Sequence, residues 1–180
     1  ADITGKATAV GTIDAKINAS GGTETGVAPI AMPDFSGVVD DATTLTMETL
    51  NSYGVTRKST SKPYAMSSAQ YNTIMGLYPL VYIDGDVEVN GSGINASGAL
   101  ITSGDITFNG GDVNMSSSVS VALCSLSGDV TFNGGKGDIN GLIYAPNGTV
   151  NLNGKGGIIS GSIIADIIDS SGGVEVHFDA

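Results

Sequence analysis

The sequence predicts an all-β protein: a single-stranded, three-sided β-helix solenoid, right-handed by the usual preference of such coils, with a short helical insertion near its N-terminus. Three observations predict this architecture. A seven-residue phrase recurs about every 20 residues, apolar and polar residues alternate within each copy, and Gly, Asn, Asp and Ser separate the copies. The alternation is typical of strands with one face inward, and the separating residues favour turns.

The recurring phrase is clearest in the second half of the chain. Its third and fifth residues are apolar and the residue between them is polar, as in Ile106, Thr107 and Phe108. We expect each copy to form one strand of a coil. The copies read GDVEVNG from Gly85, GDITFNG from Gly104, GDVTFNG from Gly128, GTVNLNG from Gly148 and, less regularly, GGVEVHF from Gly172.

Two further strand phrases recur between these copies. Three short strands in one coil cannot bury a face alone, but stacked coils share an interior and pair at about 4.8 Å. Residues 81–180 are therefore predicted to hold about five coils of one domain that spans residues 1–180. The phrases are ALITS, VALCS, GLIYA and GSIIA at 99–103, 121–125, 141–145 and 161–165, and GINASG, DVNM, DIN and GIIS at 93–98, 112–115, 138–140 and 157–160.

The opening segment shows the same alternation. Apolar and small residues alternate with polar ones over residues 3–19, and INASG occurs at both 17–21 and 94–98. We therefore expect residues 1–21 to form the first coil, next to the coil that starts near residue 81.

Residues 22–80 break the period and are predicted to form a helical insertion. Asp40 or Asp41 can cap a helix over roughly 42–53 that stops at Gly54. The stretch 67–70 reads as a capping box for a second, short helix that ends at Gly76. An uncovered solenoid end would expose unpaired strand edges, so we interpret the insertion as a cap over one end or one flank.

Composition excludes several classes of function. The net charge is -11, with 7 Lys+Arg against 18 Asp+Glu, which argues against nucleic acid and anionic membrane surfaces as partners. The single Cys124 cannot form an internal disulfide, and with His177 it is too little for a zinc site. We expect no cofactor.

Aspartates recur at one place in successive copies. Asp86, Asp105 and Asp129 would stack about 4.8 Å apart, which a Ca²⁺ ion or hydrogen bonds from backbone N–H groups could offset. We favour the hydrogen bonds and predict no metal site, with these three residues as the candidates if calcium binds.

A second column is predicted from the asparagines that end the phrases. Asn at a corner flanked by Gly can donate to the Asn of the next coil. We interpret the column as a structural ladder in which His177 occupies the fifth place. Its other members are Asn90, Asn109, Asn133 and Asn153.

The insertion carries most of the tyrosines and a basic cluster. Aromatic residues and Arg are enriched at interfaces, although the same residues could pack on the solenoid instead. The candidate interaction surface consists of Tyr53, Arg57, Lys58, Tyr64 and Tyr71.

The order of these parts resembles the extracellular region of PilX-type pilus assembly proteins and related bacterial surface proteins. The matching stretches are MPDFSG (32–37), PLVYIDGDVEVNGSG (79–93), GLIYAPNGTVNLNG (141–154) and GSIIADIIDSSGGVEVHFD (161–179). The resemblance implies a pilus-associated or cell-envelope structural role without catalytic residues. We therefore predict a non-catalytic structural or adhesion module at the cell surface that acts through contacts with pilus or cell-envelope proteins or with glycans. Such proteins usually carry an N-terminal prepilin helix, so we expect anchoring by a segment outside this chain and no membrane contact by residues 1–180 themselves.

Two other classes share the architecture. Bactofilin-like scaffolds polymerise through uncapped ends, which the insertion argues against. Polysaccharide-cleaving β-helix enzymes use paired carboxylates in a groove, for which Glu88 and the three aspartates are the available groups, but residues 63–135 contain no Lys or Arg. We therefore predict that the protein is not an enzyme.

Overall fold

The chain forms a β-solenoid of about six turns, which confirms the predicted fold class. The structure, a computed structural model, describes residues 2–4, 7–9, 18–28, 35–154 and 156–177. Each full coil contributes strands to three faces, and every strand pair within the stack of coils is parallel.

Strands greatly outnumber helices in the described residues. Several long strands turn the corner between faces without interruption, so one strand can contribute to two or three faces. The helices are α1 (Ser36–Asp40), α2 (Met47–Ser52) and α3 (Ser68–Leu77). The strands are β1 (Asp2–Thr4), β2 (Ala7–Ala9), β3 (Asn18–Ala19), β4 (Thr23–Thr25), β5 (Thr43–Thr44), β6 (Thr56–Arg57), β7 (Tyr64–Ser67), β8 (Leu80–Ile83), β9 (Val87–Asn90), β10 (Ile94–Ala96), β11 (Ala99–Thr102), β12 (Ile106–Asn109), β13 (Val113–Ser125), β14 (Val130–Asn133), β15 (Gly137–Leu152), β16 (Gly157–Ser170) and β17 (Val174–His177).

The first face stacks the strands of the recurring phrase. It runs β7, β9, β12, β14 and then the last residues of β15 and β16. Val87 pairs with Ile106, Ile106 with Val130 and Val130 with Val150, so equivalent residues of each copy lie in register.

The second and third faces are built from the two other strand phrases. The second face stacks β10, the first residues of β13, β15 and β16, then β17 and β1. The third face stacks β8, β11 and later residues of β13, β15 and β16, with Leu100 beside Leu123 and Leu123 beside Ile143.

One apolar core fills the shaft between the three faces. Phe108 and Phe132 stack with ring centroids 5.2 Å apart, and Tyr71 from α3 meets Phe108 edge-on at 5.5 Å. Because successive side chains of a strand point to opposite faces, every second side chain lies in the shaft, and the apolar positions of the phrase are the buried ones. Fully buried members include Val89, Ile94, Leu100, Ile106, Leu123, Val130, Ile143 and Val150.

The insertion covers all three strand edges at the start of the solenoid, as the capping interpretation predicted. On the first face β6 pairs antiparallel with β7, and on the third face β5 pairs with β8. On the second face α3 lies over β10, where Asn72 replaces a strand. Its Nδ2 donates to the Gly93 carbonyl at 3.0 Å and its Oδ1 accepts the Asn95 N–H at 2.9 Å.

The helices of the insertion differ in detail from the prediction. The helix expected over 42–53 begins later, as α2, because Thr46 caps it and β5 occupies residues 43–44. Gly54 follows with φ +74°, so it supplies the left-handed stop that was expected. Ser67 and Gln70 form the predicted capping box of α3, which ends at Leu77.

The described strands of the predicted first coil lie at the other end of the solenoid. The strand β1 pairs with β17 at the C-terminal end, and β3 pairs with β1, so these two strands do not lie beside the coil that starts near residue 81. The shared INASG phrase did identify a common face, because β3 and β10 both belong to the second face. The predicted alternation over 10–17 falls outside the described residues.

The last copy of the recurring phrase also lies on a different face. The strand β17 pairs with Gly157–Ser160 on the second face, whereas Ile168–Ser170 fill the last position of the first face. The strand β16 continues directly from the third face to the first face, so the first face of this coil is filled before the last phrase copy begins. Gly172 and Gly173 then form the corner that leads to β17.

A strap, defined as residues 35–42, crosses the outside of the third face. Phe35 packs on Tyr144 with ring centroids 4.3 Å apart, and Val38, Val39 and Ala42 cover a second apolar cluster that includes Cys124. The insertion therefore covers a flank of the solenoid as well as one end.

Candidate functional site

The aspartate column, Asp86, Asp105 and Asp129, is held by hydrogen bonds between coils. Asp86 Oδ1 accepts the N–H of Asp105 at 3.0 Å, Asp105 Oδ1 accepts the N–H of Asp129 at 2.8 Å, and Asp129 Oδ1 accepts the N–H of Thr149 at 2.7 Å. The favoured interpretation, hydrogen bonds from backbone N–H groups, is confirmed. The donors belong to the next coil rather than to the same turn.

The same contacts explain the glycines that precede Asp105 and Asp129. A Cβ built on Gly104 would collide with Asp86 Oδ1, and one built on Gly128 would collide with Asp105 Oδ1. The Gly of each phrase therefore leaves room for the carboxylate of the coil before it. The recurring Gly-Asp pair is one interlocking unit that spans two coils.

The predicted asparagine ladder is present. Asn109 donates to Asn90 at 3.3 Å, Asn133 to Asn109 at 3.0 Å and Asn153 to Asn133 at 3.2 Å. The fifth place was wrongly given to His177, since the hydroxyl of Ser171 donates to Asn153 Oδ1 instead.

His177 lies on the second face as the last described residue of β17. Its Nε2 lies 3.1 Å from a carboxylate oxygen of Glu175, and both side chains are largely exposed. The shift of the last phrase copy to the second face removes His177 from the ladder.

Two of the five interaction-surface candidates are wrong as surface residues. Tyr71 is fully buried and Tyr64 is 7% exposed, because both close the end of the apolar shaft. Burial raises the pKa of Tyr71. Arg57 lies over the Tyr64 ring at 4.6 Å and donates to two loop carbonyls, so it holds the cap together.

The other aromatic candidate is half-buried. The hydroxyls of Tyr53 and Tyr78 lie 3.3 Å apart, and this hydrogen bond raises the pKa of Tyr53. Lys58 is exposed on the loop after β6. Tyr53, Arg57 and Lys58 thus surround the capped end, and their role in binding stays a prediction.

Cys124 lies outside the shaft but beneath the strap. It pairs in register with Ile101 and Tyr144 and is fully buried. Burial raises the pKa of its thiol to about 12, so the thiolate does not form near neutral pH.

Glu88, the remaining carboxylate named for an enzyme, is also engaged within the solenoid. Its Oε1 accepts a hydrogen bond from Asn109 Nδ2 at 3.0 Å. Within the described ranges, no group of three or more His, Cys, Asp or Glu residues is arranged to hold a metal ion. Nor does that part of the chain contain a helix with the length and apolar character to cross a membrane.

An open groove runs along the outside of the second face, with a volume of about 620 Å³. One row of its lining is Asn95, Asn114, Asp138 and Ile158, one residue from each of four coils in register. The groove could not be predicted from the sequence, because its residues are ordinary turn and strand-surface types and only the register brings them together.

These features define the class: a capped β-solenoid domain whose coils are joined by columns of aspartate and asparagine side chains. The chain belongs to the family described as a Domain of unknown function (DUF7305), whose match covers residues 79–180, more than half of the chain. No curated protein and no solved structure matches it.

Proposed function

We propose that the chain is a non-catalytic structural or adhesion module displayed at the cell surface, with pilus or cell-envelope proteins as its partners. The observation that carries the proposal is the use of its polar side chains. The Asp86, Asp105 and Asp129 carboxylates each accept a backbone N–H of the next coil, so these groups join coils rather than face a substrate.

The solenoid also suits a mechanical role. Parallel register on all three faces and two side-chain ladders distribute hydrogen bonds along the whole axis. A domain with this arrangement resists local opening because each coil is paired with both neighbours. Rigidity of this kind is what a module that projects a binding surface from the cell requires.

The resemblance to PilX-type proteins supports the pilus association. The resemblance is strongest from residue 79 onward, where β8 and β9 directly follow the cap. The net charge of -11 disfavours nucleic acid as a partner. We place the domain outside the cytoplasm, anchored through a segment outside this chain.

Surface labelling of intact cells tests the proposal. An antibody raised against the 180-residue chain should label unpermeabilised cells of the source organism, and gold labelling should coincide with pili or the outer envelope. A protease added to intact cells should remove the signal. Labelling that requires permeabilised cells would overturn the proposed location and, with it, the role.

A polymerising scaffold is the second candidate, because the last turn of the first face exposes Ile167 and Ile168, at 55% and 47%. Exposed apolar residues at a solenoid end favour end-to-end contact. The covered edges at the opposite end count against it. Sedimentation velocity over a wide range of protein concentration decides between them: filaments favour the scaffold, and a constant monomer excludes it.

A further inference from the structure

The groove on the second face carries hydrogen-bonding groups that the fold does not use. Among the described residues, the side chains of Ser116, Asn140 and Ser160 make no hydrogen bond to protein atoms, and they form a second row beside the first. In the asparagine ladder, by contrast, successive amides bond to one another. The groove therefore presents free hydroxyl and amide groups at regular intervals.

We propose that this groove binds a neutral glycan chain laid along the solenoid axis. The inference deepens the proposed surface role and rests on it for its biological meaning, although the binding itself is a property of the isolated domain. Asn140 can donate and accept at once, as can the serine hydroxyls, which matches the paired donor and acceptor character of sugar hydroxyls.

The charge of the lining selects the class of glycan. Asp138 is the single charged residue of the lining, and no Lys, Arg or His takes part among the described residues. Asp138 uses Oδ1 to accept the Ile158 N–H at 3.1 Å, which leaves its other oxygen to accept from a ligand hydroxyl. Uronic acids, sulfated glycans and nucleic acids would meet an uncompensated carboxylate, so we expect a neutral chain.

The repeat of the groove fits a polymer rather than a single sugar. Its first row spans four coils, which at about 4.8 Å per coil is roughly 14 Å, and its volume of about 620 Å³ lies in the usual range for ligand sites. Ile158, 39% exposed, is the last residue of the row that lines the groove, before Glu175 on the next coil, and it offers an apolar surface for the C–H face of a pyranose. The strands along the groove are paired with one another from Ile94 to Ile159, so the groove exposes no free strand edge to which a polypeptide could add. A polypeptide partner is therefore disfavoured.

Titration of the 180-residue chain with chitohexaose, cellohexaose and maltohexaose tests the inference, with hexagalacturonate as the anionic comparator. We expect at least one neutral hexasaccharide to bind in the millimolar range or tighter, and hexagalacturonate to bind at least tenfold more weakly. Asn140→Ala should weaken binding about fivefold to tenfold, as expected for one lost hydrogen bond. The matched control Thr107→Ala, on the outer row of the first face, should leave binding unchanged.

Several outcomes would overturn the glycan site. They are no binding by any of the three neutral sugars, hexagalacturonate binding as well as they do, or equal weakening by Asn140→Ala and Thr107→Ala. Circular dichroism of both variants checks that they fold, and Ser160→Ala provides a second, milder variant of the groove. The sugar titration and the cell labelling test different proposals. A protein on the cell surface that binds no sugar would contradict the glycan site alone. A protein inside the cell that binds sugar would contradict the proposed surface role alone.

Discussion

The interlocking of Gly104 with Asp86 can be tested by adding one methyl group. The φ of Gly104 lies outside the left-handed region, so Gly104→Ala brings no backbone strain. Its Cβ would collide with Asp86 Oδ1 and stand 3.2 Å from both Asp86 Cγ and Asp86 N. The carboxylate must rotate away and give up the N–H of Asp105, now 3.0 Å from it.

The expected cost follows from these two effects. Overpacking costs about 1–3 kcal/mol and loss of the hydrogen bond about 1 kcal/mol at this exposed site. Gly104→Ala should therefore lower the free energy of unfolding by about 2–4 kcal/mol, or Tm by roughly 4–16 °C. Gly173→Ala is the matched control, because a Cβ there meets nothing within 4 Å, and it should change stability by less than about 0.5 kcal/mol.

A double-mutant cycle identifies the cause. Asp86→Ala alone should cost about 1 kcal/mol through its lost hydrogen bond, and it removes the group that the new methyl would strike. The double variant should then be at least about 1 kcal/mol more stable than the sum of the single effects predicts. Urea unfolding followed by circular dichroism measures all four proteins. Additive costs, or a Gly104→Ala variant as stable as Gly173→Ala, would refute the interlocking.

Four further predictions concern the cap, the strap, the buried thiol beneath it and the aspartate column. Asn72→Ala should lower the free energy of unfolding by about 2 kcal/mol, because both Gly93 and Asn95 lose a hydrogen-bond partner. Asn72→Asp keeps the acceptor, so its stability should lie between that of Asn72→Ala and that of the unmutated chain. Equal losses of stability in the two variants would contradict the replacement of a strand by Asn72. The thiol of Cys124 should react with a disulfide reagent at pH 8 far more slowly in the folded protein than in the unfolded protein. Phe35→Ala should accelerate this reaction about tenfold by loosening the strap. A fast reaction in the unmutated chain would show that the strap does not cover the thiol. Because the folded pKa of Cys124 is raised from 9.0 to about 12, its contribution to stability should be complete below pH 9 and be lost as pH rises toward 12, and Cys124→Ala should remove that part of the pH dependence. Calcium and chelator should leave Tm unchanged, since the column is satisfied by N–H donors, and a Tm that rises with calcium would revive the metal site.

Much of the fold could be predicted because coil stacking imposes a visible repeat. The phrase copies on the first face need apolar residues at their third and fifth places, Gly at the first and Asn at the corner. Asp86, Asp105 and Asp129 each accept a backbone N–H of the next coil, which gives the Gly-Asp pairs their reason. The core, the two ladders and the capping box of α3 follow from local chemistry. Such features repeat wherever the same contacts repeat.

The errors arise where the repeat alone is ambiguous. A parallel stack has the same pattern of strand edges at every level, so the INASG phrase of residues 17–21 identifies a face but not an end. The strand β1 adds to β17 rather than beside β10. The GGVEVHF phrase resembles the first-face copies, yet Ile168–Ser170 already occupy that level. His177 was misplaced for this reason.

The candidate surfaces were harder to predict than the fold. Tyr64 and Tyr71 are of a residue type that is common at interfaces, but the open end of the apolar shaft needs large side chains to close it. Burying the two rings there is more favourable than leaving them exposed to water. The groove depends on Asn95, Asn114 and Asp138 coming together from separate coils. Their sequence spacing carries no signal of its own until the register is known.

Disulfide formation between designed cysteines tests the parallel, in-register stacking most directly. In a Cys124→Ala background, Thr107→Cys with Thr131→Cys places two thiols on adjacent, paired positions about 4.8 Å apart, within the range for a disulfide. Thr107→Cys with Asn151→Cys lies two coils apart, at about 9.6 Å, which is too far. Mild oxidation should link the first pair nearly completely and leave the second free, whereas equal linkage of both pairs, or none in the first, would contradict the solenoid.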